Sequence, residues 1–517
     1  MPNRSADSLF LLIRSLEKSE KRNFKLYVKR NSKTDELKMT RLFDALDKIS
    51  VYDEDQLLKK NKWIKKQQLS NMKAHLYKQL LSSLRLISDE SNIDILLHEQ
   101  LGYARILYNK GLYLQSLKVL DRLKESARAY NQVTYLQQVL FFEKKIEALY
   151  ITRSMQNRAD ELAEEANEVN DRLSIISQLS NLALQLYSWY IKHGHARNEE
   201  EGKAVKYLFE KQLPEDADAY EGFYERLYLY QSYCWYAFIR QDFLQYYRYT
   251  QKWVDLFEQQ SMMKEVESAH YIKGLHNLLS AQFELMNHKK FNEVLKQFET
   301  FADSSIASLH DSNKLQIFVY LNTARINKYF MEGRFTEGLK LVPYIEEKLV
   351  EFELYLDRHR VLVFYYKIAS LYFGAGEFEK AIDYLNKIIN WKVDLRTDLQ
   401  CYSRLLHLIA HYELGNYQLL EYLAKSVYRF MAKMENLNMV EEEIFGFLRK
   451  SLHMSDSKLK VEFKILLGKL KQQQQNPYAT RAFFYLDIIS WLESKINNVP
   501  VQDVIRKKFL ERRKQEV

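Results

Sequence analysis

Residues 362–388, LVFYYKIASLYFGAGEFEKAIDYLNKI, decide the fold of this chain. Apolar residues recur at helical spacing on both sides of Gly376. Glycine permits the tight turn between the two helices, and the small residues Ala369 and Ala381 let the helices cross closely. The stretch therefore predicts a helical hairpin, which must stack on its neighbours to bury its apolar face.

The same turn, a glycine followed two residues later by an aromatic residue, recurs along the chain. Its four copies are Gly111-Leu112-Tyr113, Gly333-Arg334-Phe335, Gly376-Glu377-Phe378 and Gly415-Asn416-Tyr417. Helical patterns without a glycine predict further turns near Ser154, Asn198, Gln241 and Lys289. Repetition of one supersecondary unit predicts an array of stacked hairpins.

The composition agrees with long helices. The chain has 517 residues but only 13 Gly and 5 Pro, and no proline lies between Pro2 and Pro214. Folds rich in β-strands need more turn residues than this, so we expect an all-α protein. Pro343 falls inside a predicted second helix, where it would either kink the helix or begin it.

Residues 362–388 resemble a tetratricopeptide repeat. The resemblance rests on ten positions: Leu362, Tyr365, Ile368, Ala369, Tyr372, Gly376, Phe378, Ala381, Leu385 and Ile388. Tyr365 stands where the family has tryptophan, and Val393 stands in place of its closing proline. The resemblance implies an α-solenoid of about eight antiparallel helical hairpins, which would bind partners on its concave surface.

Charge separates the ends of the chain from its middle. Residues 1–90 hold 20 Lys and Arg against 12 Asp and Glu, and the last twelve residues hold 6 against 2. We therefore expect a basic helical N-terminal region at 1–90 and tetratricopeptide-like repeats at 91–440. Capping helices and a basic tail are expected at 441–517.

In the family that the chain resembles, the first helix of each hairpin faces the concave side. The resemblance implies that a protein or peptide partner contacts Tyr320, Thr323, Asn327, Val363, Tyr366, Ser370 and Phe373. These side chains do not reproduce the Lys, Asn and Arg clamp with which some members bind a peptide carboxylate, which disfavours a chaperone-tail receptor. The aromatic residues of 220–257 favour packing between repeats over a ligand groove.

Two basic clusters in residues 1–90 suggest an alternative partner. They comprise Arg22, Lys25, Lys29, Lys59, Lys60, Lys62, Lys65 and Lys66. Such clusters can bind the phosphates of DNA or RNA, although ordinary solvated helix faces have the same pattern. The acidic residues Asp53, Glu54 and Asp55 interrupt the basic surface.

The short motifs of nucleotide, zinc and acyl chemistry are absent from the sequence, which predicts no enzymatic activity and no cofactor. The best metal candidate is His407 with His411, four residues apart and near Glu413, although packing is the favoured role of both imidazoles. Cys234 and Cys401 suggest neither a disulfide framework nor a zinc site. No stretch reaches the ~18 apolar residues that span a bilayer, so we expect a cytoplasmic protein without membrane contact.

The leading hypothesis is a non-enzymatic intracellular scaffold that binds a peptide or a partner domain through the concave surface of the solenoid. The alternative is a nucleic-acid-binding regulator, in which residues 1–90 contact DNA or RNA and the repeats sense a partner. The sequence leaves both hypotheses open.

Overall fold

The protein is all-α in the part of the chain that the computed structural model describes, which is residues 7–31, 36–88, 92–149, 157–353, 355–391, 397–434, 439–451, 454–473 and 487–515. About 84% of these residues are helical, and none of them forms a β-strand. The chain divides into two compact units, residues 1–166 and 167–517. The predicted organisation into 1–90, 91–440 and 441–517 is not tested by this division and stays a prediction.

The first unit begins with short helices around a small apolar core. Phe24 and Phe43 meet in this core with their ring centroids 4.9 Å apart, and Leu76 is fully buried beside them. The helices that lie wholly in this unit are α1 (Ser8–Ser15), α2 (Lys18–Asn31), α3 (Glu36–Asp47), α4 (Glu54–Lys60), α5 (Lys66–Ser88), α6 (Ile93–Asn109), α7 (Tyr113–Ala129) and α8 (Val133–Glu147). Helix α9 (Arg158–His193) contains the boundary.

The second unit is a succession of helices joined by short turns. They are α10 (Glu199–Gln212), α11 (Phe223–Ile239), α12 (Phe243–Gln259), α13 (Met263–Val266), α14 (Ser268–Glu284), α15 (His288–Ala302), α16 (Ser305–Ser308), α17 (Asp311–Glu332), α18 (Phe335–Gly338), α19 (Val342–Glu351), α20 (Arg358–Gly374), α21 (Phe378–Ile389), α22 (Thr397–Glu413), α23 (Tyr417–Lys433), α24 (Met439–Ser451), α25 (Asp456–Gln473), α26 (Ile488–Asn497) and α27 (Val501–Gln515). Short 3-10 helices occupy Ala217–Ala219 and Leu339–Leu341.

The predicted glycine turns are confirmed. Gly111, Gly333, Gly376 and Gly415 all have positive φ, between 63° and 83°, and the next helix begins at the aromatic residue two positions later. A residue without a Cβ adopts this conformation at little cost, which ends the first helix and starts the second.

The predicted turns without glycine have mixed outcomes. Gln241 has φ of 60° and directly precedes α12, and Asn198 caps the start of α10. The turn expected near Lys289 lies instead at Met286, whose φ is 52°, because Lys289 already belongs to α15. Ser154 lies outside the described residues.

Consecutive helices pack in pairs, and the pairs pack on one another. Helix α14 contacts its own second helix α15 and also α12 and α17 on either side, and α20, α21 and α22 repeat this arrangement. Each apolar face is therefore buried against a neighbour in sequence. The packing is consistent with a helical repeat array.

Pro343 begins a helix. The segment that follows α17 is divided into α18, a 3-10 turn and α19, and Pro343 lies in the first turn of α19. The amide hydrogen that proline lacks has no partner within the helix at this position, so the residue is accommodated at a helix start.

The last helix, α27, packs against the end of α17. The Arg506 guanidinium donates a hydrogen bond of 3.1 Å to the backbone oxygen of Glu332, and Phe509 meets the ring of His288 edge-on at 4.6 Å. A Cβ on Gly333 would overlap the Arg506 backbone. The glycine at this turn therefore permits both a left-handed conformation and close approach of α27.

We expect Gly333→Ala to detach α27 and Gly376→Ala to leave it in place. Both glycines have positive φ, so both substitutions strain the turn by about 1 kcal/mol. Only the Gly333 site is crowded, because a Cβ on Gly376 would have no neighbour within 4 Å. Hydrogen exchange of the 501–515 amides should therefore accelerate in Gly333→Ala alone. Equal exchange in the two variants would contradict this account of the packing.

The first unit buries a lysine with its carboxylate partners. Lys124 on α7 is 6% exposed, and its ammonium lies 2.5 Å from Glu143 and 3.1 Å from Glu165. Glu143 is completely buried, and desolvation raises the pKa of its carboxyl group despite the neighbouring Lys124. Each charge in this group depends on the others to offset the cost of burial.

Lys124→Met should destabilise the protein by about 3–5 kcal/mol, because it leaves Glu143 charged and buried without its closest partner. The double variant Lys124→Met, Glu143→Leu should recover much of this loss. Lys118→Met is the matched control, because Lys118 is an exposed lysine on the same helix. Urea unfolding followed by circular dichroism measures all three. A double variant no more stable than Lys124→Met would count against the ion-pair explanation.

Candidate functional site: a cationic cluster on α14, α17 and α20

The candidate site is built by three first helices that lie next to one another. Helices α14, α17 and α20 pack in sequence order, each against the next. Residues three, four and seven positions apart share one face of a helix. This rule places Lys273 and His276 on one face of α14, and Arg360 and Lys367 on one face of α20. Glu284 is eleven positions after Lys273, which is about three turns further along the same face of α14.

Lys273 lies over two aromatic rings. Its ammonium nitrogen is 5.2 Å from the ring centroid of Tyr187 on α9 and 5.6 Å from that of Trp235 on α11. The two rings are themselves 4.9 Å apart. Cation–π attraction therefore holds the ammonium group in place without neutralising its charge.

Tyr320 on α17 links α14 to α20. The His276 ring stacks on it with centroids 4.1 Å apart and planes 13° from parallel. On the α20 side, the Arg360 guanidinium carbon is 5.7 Å from the Tyr320 centroid. One tyrosine thus positions an imidazole and a guanidinium group from two different helices.

Lys367 completes the arrangement. Its ammonium group donates a hydrogen bond of 2.6 Å to the Asn327 side-chain oxygen and lies 5.6 Å from the Phe330 ring centroid. We use the term central cluster for the ten side chains that these contacts and the electrostatic interactions among them connect. They are Tyr187, Trp235, Lys273, His276, Glu284, Tyr320, Asn327, Phe330, Arg360 and Lys367.

Enclosure by protein atoms shifts the pKa values of the cluster. Desolvation lowers the pKa of Lys367 to about 8, and desolvation with three nearby cations lowers that of His276 to about 3. Desolvation raises the pKa of Glu284 to about 8, although Lys367 opposes the shift. Glu284 is therefore largely protonated at neutral pH and supplies little negative charge.

The two lysines of the cluster lack carboxylate partners in the described part of the chain, whereas Arg360 pairs with Asp357 at 3.2 Å. Among the described residues, no carboxylate lies within ion-pair distance of Lys273 or Lys367. Two other partly buried lysines of this unit are paired, Lys264 with Glu258 at 2.5 Å and Lys508 with Glu493 at 2.7 Å. The central cluster therefore differs from the ion pairs that support the fold.

The seven predicted partner-contact residues take three kinds of position. Tyr320 and Asn327 belong to the central cluster, and Thr323 is buried one turn away from each. Val363 and Ser370 are partly exposed on α20, whereas Tyr366 and Phe373 are buried in the core at 7% and 5% exposure. Contact of these residues with a partner stays a prediction.

Sequence reasoning missed the charged members of the cluster. The helical spacing that selects Tyr320 on α17 and Val363 on α20 applies equally to the neighbouring turns and to α14. Extending it to the turns before and after Val363 gives Arg360 and Lys367, and applying it to α14 gives Lys273 and His276. The signal was present in the spacing, but the stacking of His276 on Tyr320 required the tertiary structure.

The histidine pair is engaged in packing. His407 and His411 meet edge-on with ring centroids 4.5 Å apart, and burial lowers the pKa of His407 to about 4. The Glu413 carboxylate accepts a hydrogen bond from the Trp491 indole and forms an ion pair with Lys495. No group of three potential metal ligands occurs within the described ranges. Cys234 and Cys401 are buried free thiols.

The aromatic stretch 220–257 serves mainly to pack helices. Tyr233 stacks on Tyr249 with centroids 3.9 Å apart, and Trp253 is completely buried. Trp235 is different, because it is partly exposed beneath Lys273. Trp235 thus joins the central cluster through its contact with the Lys273 ammonium group.

The basic residues predicted to contact nucleic acid are exposed. In the first unit these are Arg22, Lys25, Lys29, Lys59, Lys60, Lys62, Lys65 and Lys66. Lys25 forms an ion pair with Asp44 at 2.7 Å, and the adjacent Lys21 forms one with Asp47 at 2.6 Å. Acidic residues of α3 thus neutralise part of the basic face of α2.

Comparison with known proteins adds no family. No protein-family model and no curated protein matches the chain. None of the helices in the described ranges is long and apolar enough to cross a membrane. The chain is an all-helical protein whose successive helices pack pairwise.

Glu284→Gln should stabilise the protein at about pH 7.5 and have little effect at about pH 5. The pKa of Glu284 is about 8 in the folded state against 4.5 for an ordinary glutamate, so the folded protein binds more protons between these values. Wild-type stability consequently falls as pH rises through this window. The amide removes that loss, with an expected gain of about 3–4 kcal/mol.

Thermal unfolding of both proteins across this pH range measures the effect. Glu379→Gln is the control, because Glu379 is exposed on α21. If Glu284→Gln stabilised the protein equally at the two pH values, the assignment of a raised pKa to Glu284 would be contradicted.

Proposed function

We propose that the chain is a non-enzymatic scaffold that binds a peptide or a partner domain. In this proposal the repeats form a tetratricopeptide-like α-solenoid of about eight antiparallel hairpins, and the first helices face its concave surface. The observation that carries the proposal is the central cluster. Polar and aromatic side chains from α14, α17 and α20 meet there, and all of them except the buried Asn327 remain partly accessible.

A surface of this kind suits an extended peptide. Stacked hairpins are rigid, so the scaffold loses little conformational freedom when it binds. Tyr187, Trp235 and Tyr320 provide aromatic surface of the type that supplies binding energy at interfaces. The charged groups beside these rings add specificity for the partner.

Two further features support the proposal. In the central cluster, His276 is stacked on Tyr320 and is not hydrogen-bonded to a serine, threonine or cysteine among the described residues, so the pattern of an activated nucleophile is not met. The separate, buried Cys234 and Cys401 suit a reducing compartment, and we propose the cytoplasm as the location.

The proposal is tested by site-specific photo-crosslinking in cells that express the full chain. A photoreactive amino acid at Ser370, on the same face of α20 as Lys367, should yield an adduct with one continuous segment of a partner. The same group at the exposed Glu379 of α21 should not. A synthetic peptide of the mapped segment should then bind the purified chain.

Two outcomes would overturn the proposed binding surface. One is the same set of adducts from Ser370 and Glu379, which would indicate random collision. The other is a mapped peptide whose affinity for the purified chain is unchanged by Tyr320→Ala and Arg360→Gln.

A nucleic-acid-binding regulator is the second candidate. It is favoured by the exposure of all eight basic residues named above, since exposed Lys and Arg can displace counterions from phosphates. The full chain should then bind mixed oligonucleotides in a salt-dependent manner, and Lys59→Glu with Lys62→Glu should weaken binding by roughly tenfold. Unchanged affinity in this double variant would remove the candidate.

A further inference from the structure

We infer that the central cluster binds an acidic segment of a partner protein, whose Asp and Glu side chains lie against Lys273, Arg360 and Lys367. The inference rests on the proposed function and specifies the partner by its chemistry. Nothing in it depends on the basic residues of the first unit.

The geometry brings three cations to one site. Arg360 and Lys367 lie two turns apart on α20. Lys273 on α14 and Arg360 each lie near enough to His276 to lower the pKa of its imidazole. Tyr320 lies between the two helices, in contact with His276 and Arg360. A ligand crossing α17 would therefore meet cations on both sides.

The cations are oriented by groups that do not neutralise them. Lys273 is held by the rings of Tyr187 and Trp235, and Lys367 by the amide oxygen of Asn327. The only carboxylate paired with Arg360 within the described part of the chain is Asp357, whose side chain is 56% exposed. Such an exposed pair contributes little and is readily exchanged for another anion.

The buried lysine of the first unit provides an internal comparison. Lys124 is enclosed and is paired with two carboxylates, Glu143 and Glu165. Lys273 and Lys367 are enclosed on the central cluster without such a partner within the described residues. Desolvating a positive charge is costly. An anion supplied by a ligand would form the ion pair that Lys273 and Lys367 do not form within the described residues.

Asn327 favours a peptide as the source of this anion. Its side-chain oxygen accepts a hydrogen bond from Lys367, which leaves its amide nitrogen as a donor without a described acceptor. Beside three cations, this donor suits a backbone carbonyl next to carboxylate side chains. The aromatic rings add contact surface for the aliphatic part of the same segment.

The test uses the full chain and two fluorescent peptides in an anisotropy titration. One peptide is rich in Asp and Glu, and the other has Asn and Gln at the same positions. We expect wild type to bind the acidic peptide at least about tenfold more tightly than the amide peptide. Lys273→Gln and Lys367→Gln should each weaken binding of the acidic peptide by roughly tenfold.

Two variants control for net charge and for folding. Lys289→Gln removes the same charge from an exposed position on α15 and should change affinity by less than about twofold. Lys367→Arg keeps the charge and should retain most of the affinity. Thermal unfolding of each variant shows whether weaker binding reflects an unfolded protein.

Four results of the titrations would overturn the inference. One is equal affinity for the acidic and amide peptides, and another is unchanged affinity for the acidic peptide in folded Lys273→Gln and Lys367→Gln. The third is an equal loss of affinity in Lys289→Gln. The fourth is tighter binding of an oligonucleotide with the same charge as the acidic peptide, when that binding also depends on the two lysines. A specific Ser370 adduct with a segment that lacks acidic residues would leave the proposed function standing and remove only this inference. Absence of specific Ser370 adducts together with binding of the acidic peptide at Lys273 and Lys367 would remove the proposed function, and the partner with it, while leaving the preference of the cluster for acidic peptides.

Discussion

The fold depends on one constraint: a single helical hairpin cannot bury its own apolar face. Helix α14 therefore packs on α15 and also on α12 and α17, and the same rule orders α20, α21 and α22. Short turns enforce this order because they leave each second helix beside the first. Gly376 and Gly415 provide such turns by adopting a left-handed conformation.

The same constraint explains why a polar cluster forms on the first helices. The apolar residues of α17 face its neighbours, so the remaining side chains of α14, α17 and α20 are brought together on a shared face. Tyr320 occupies the middle of this face and contacts residues on both adjacent helices. Charged groups placed there are enclosed by protein atoms, and this desolvation lowers the pKa of Lys367 and raises the pKa of Glu284.

The structure distinguishes charges that support the fold from charges that remain available. Lys124 and Glu143 form a buried pair between adjacent helices, and Glu413 joins α22 to α26 through Trp491 and Lys495. In each case opposite charges, or a charge and a donor, offset their own desolvation. Lys273 is held instead by aromatic rings, which fix its position and leave its charge available.

The sequence by itself determined the all-α class and the positions of the glycine turns. For Pro343 it left two options, a kink or a helix start. These features are local, since they follow from the φ preference of glycine, the missing amide hydrogen of proline and the spacing of apolar residues. Local spacing also placed Tyr320 and Asn327 on a common face of α17.

Only the tertiary structure decided which faces meet. It placed His276 on Tyr320, Lys367 on Asn327 and α27 on Gly333, and it buried Tyr366 and Phe373 in the core. The physical reason is that a position on a helix face depends on the residue spacing within that helix. The contacts of that face depend instead on how neighbouring helices are rotated and crossed, which is fixed by packing between segments far apart in sequence.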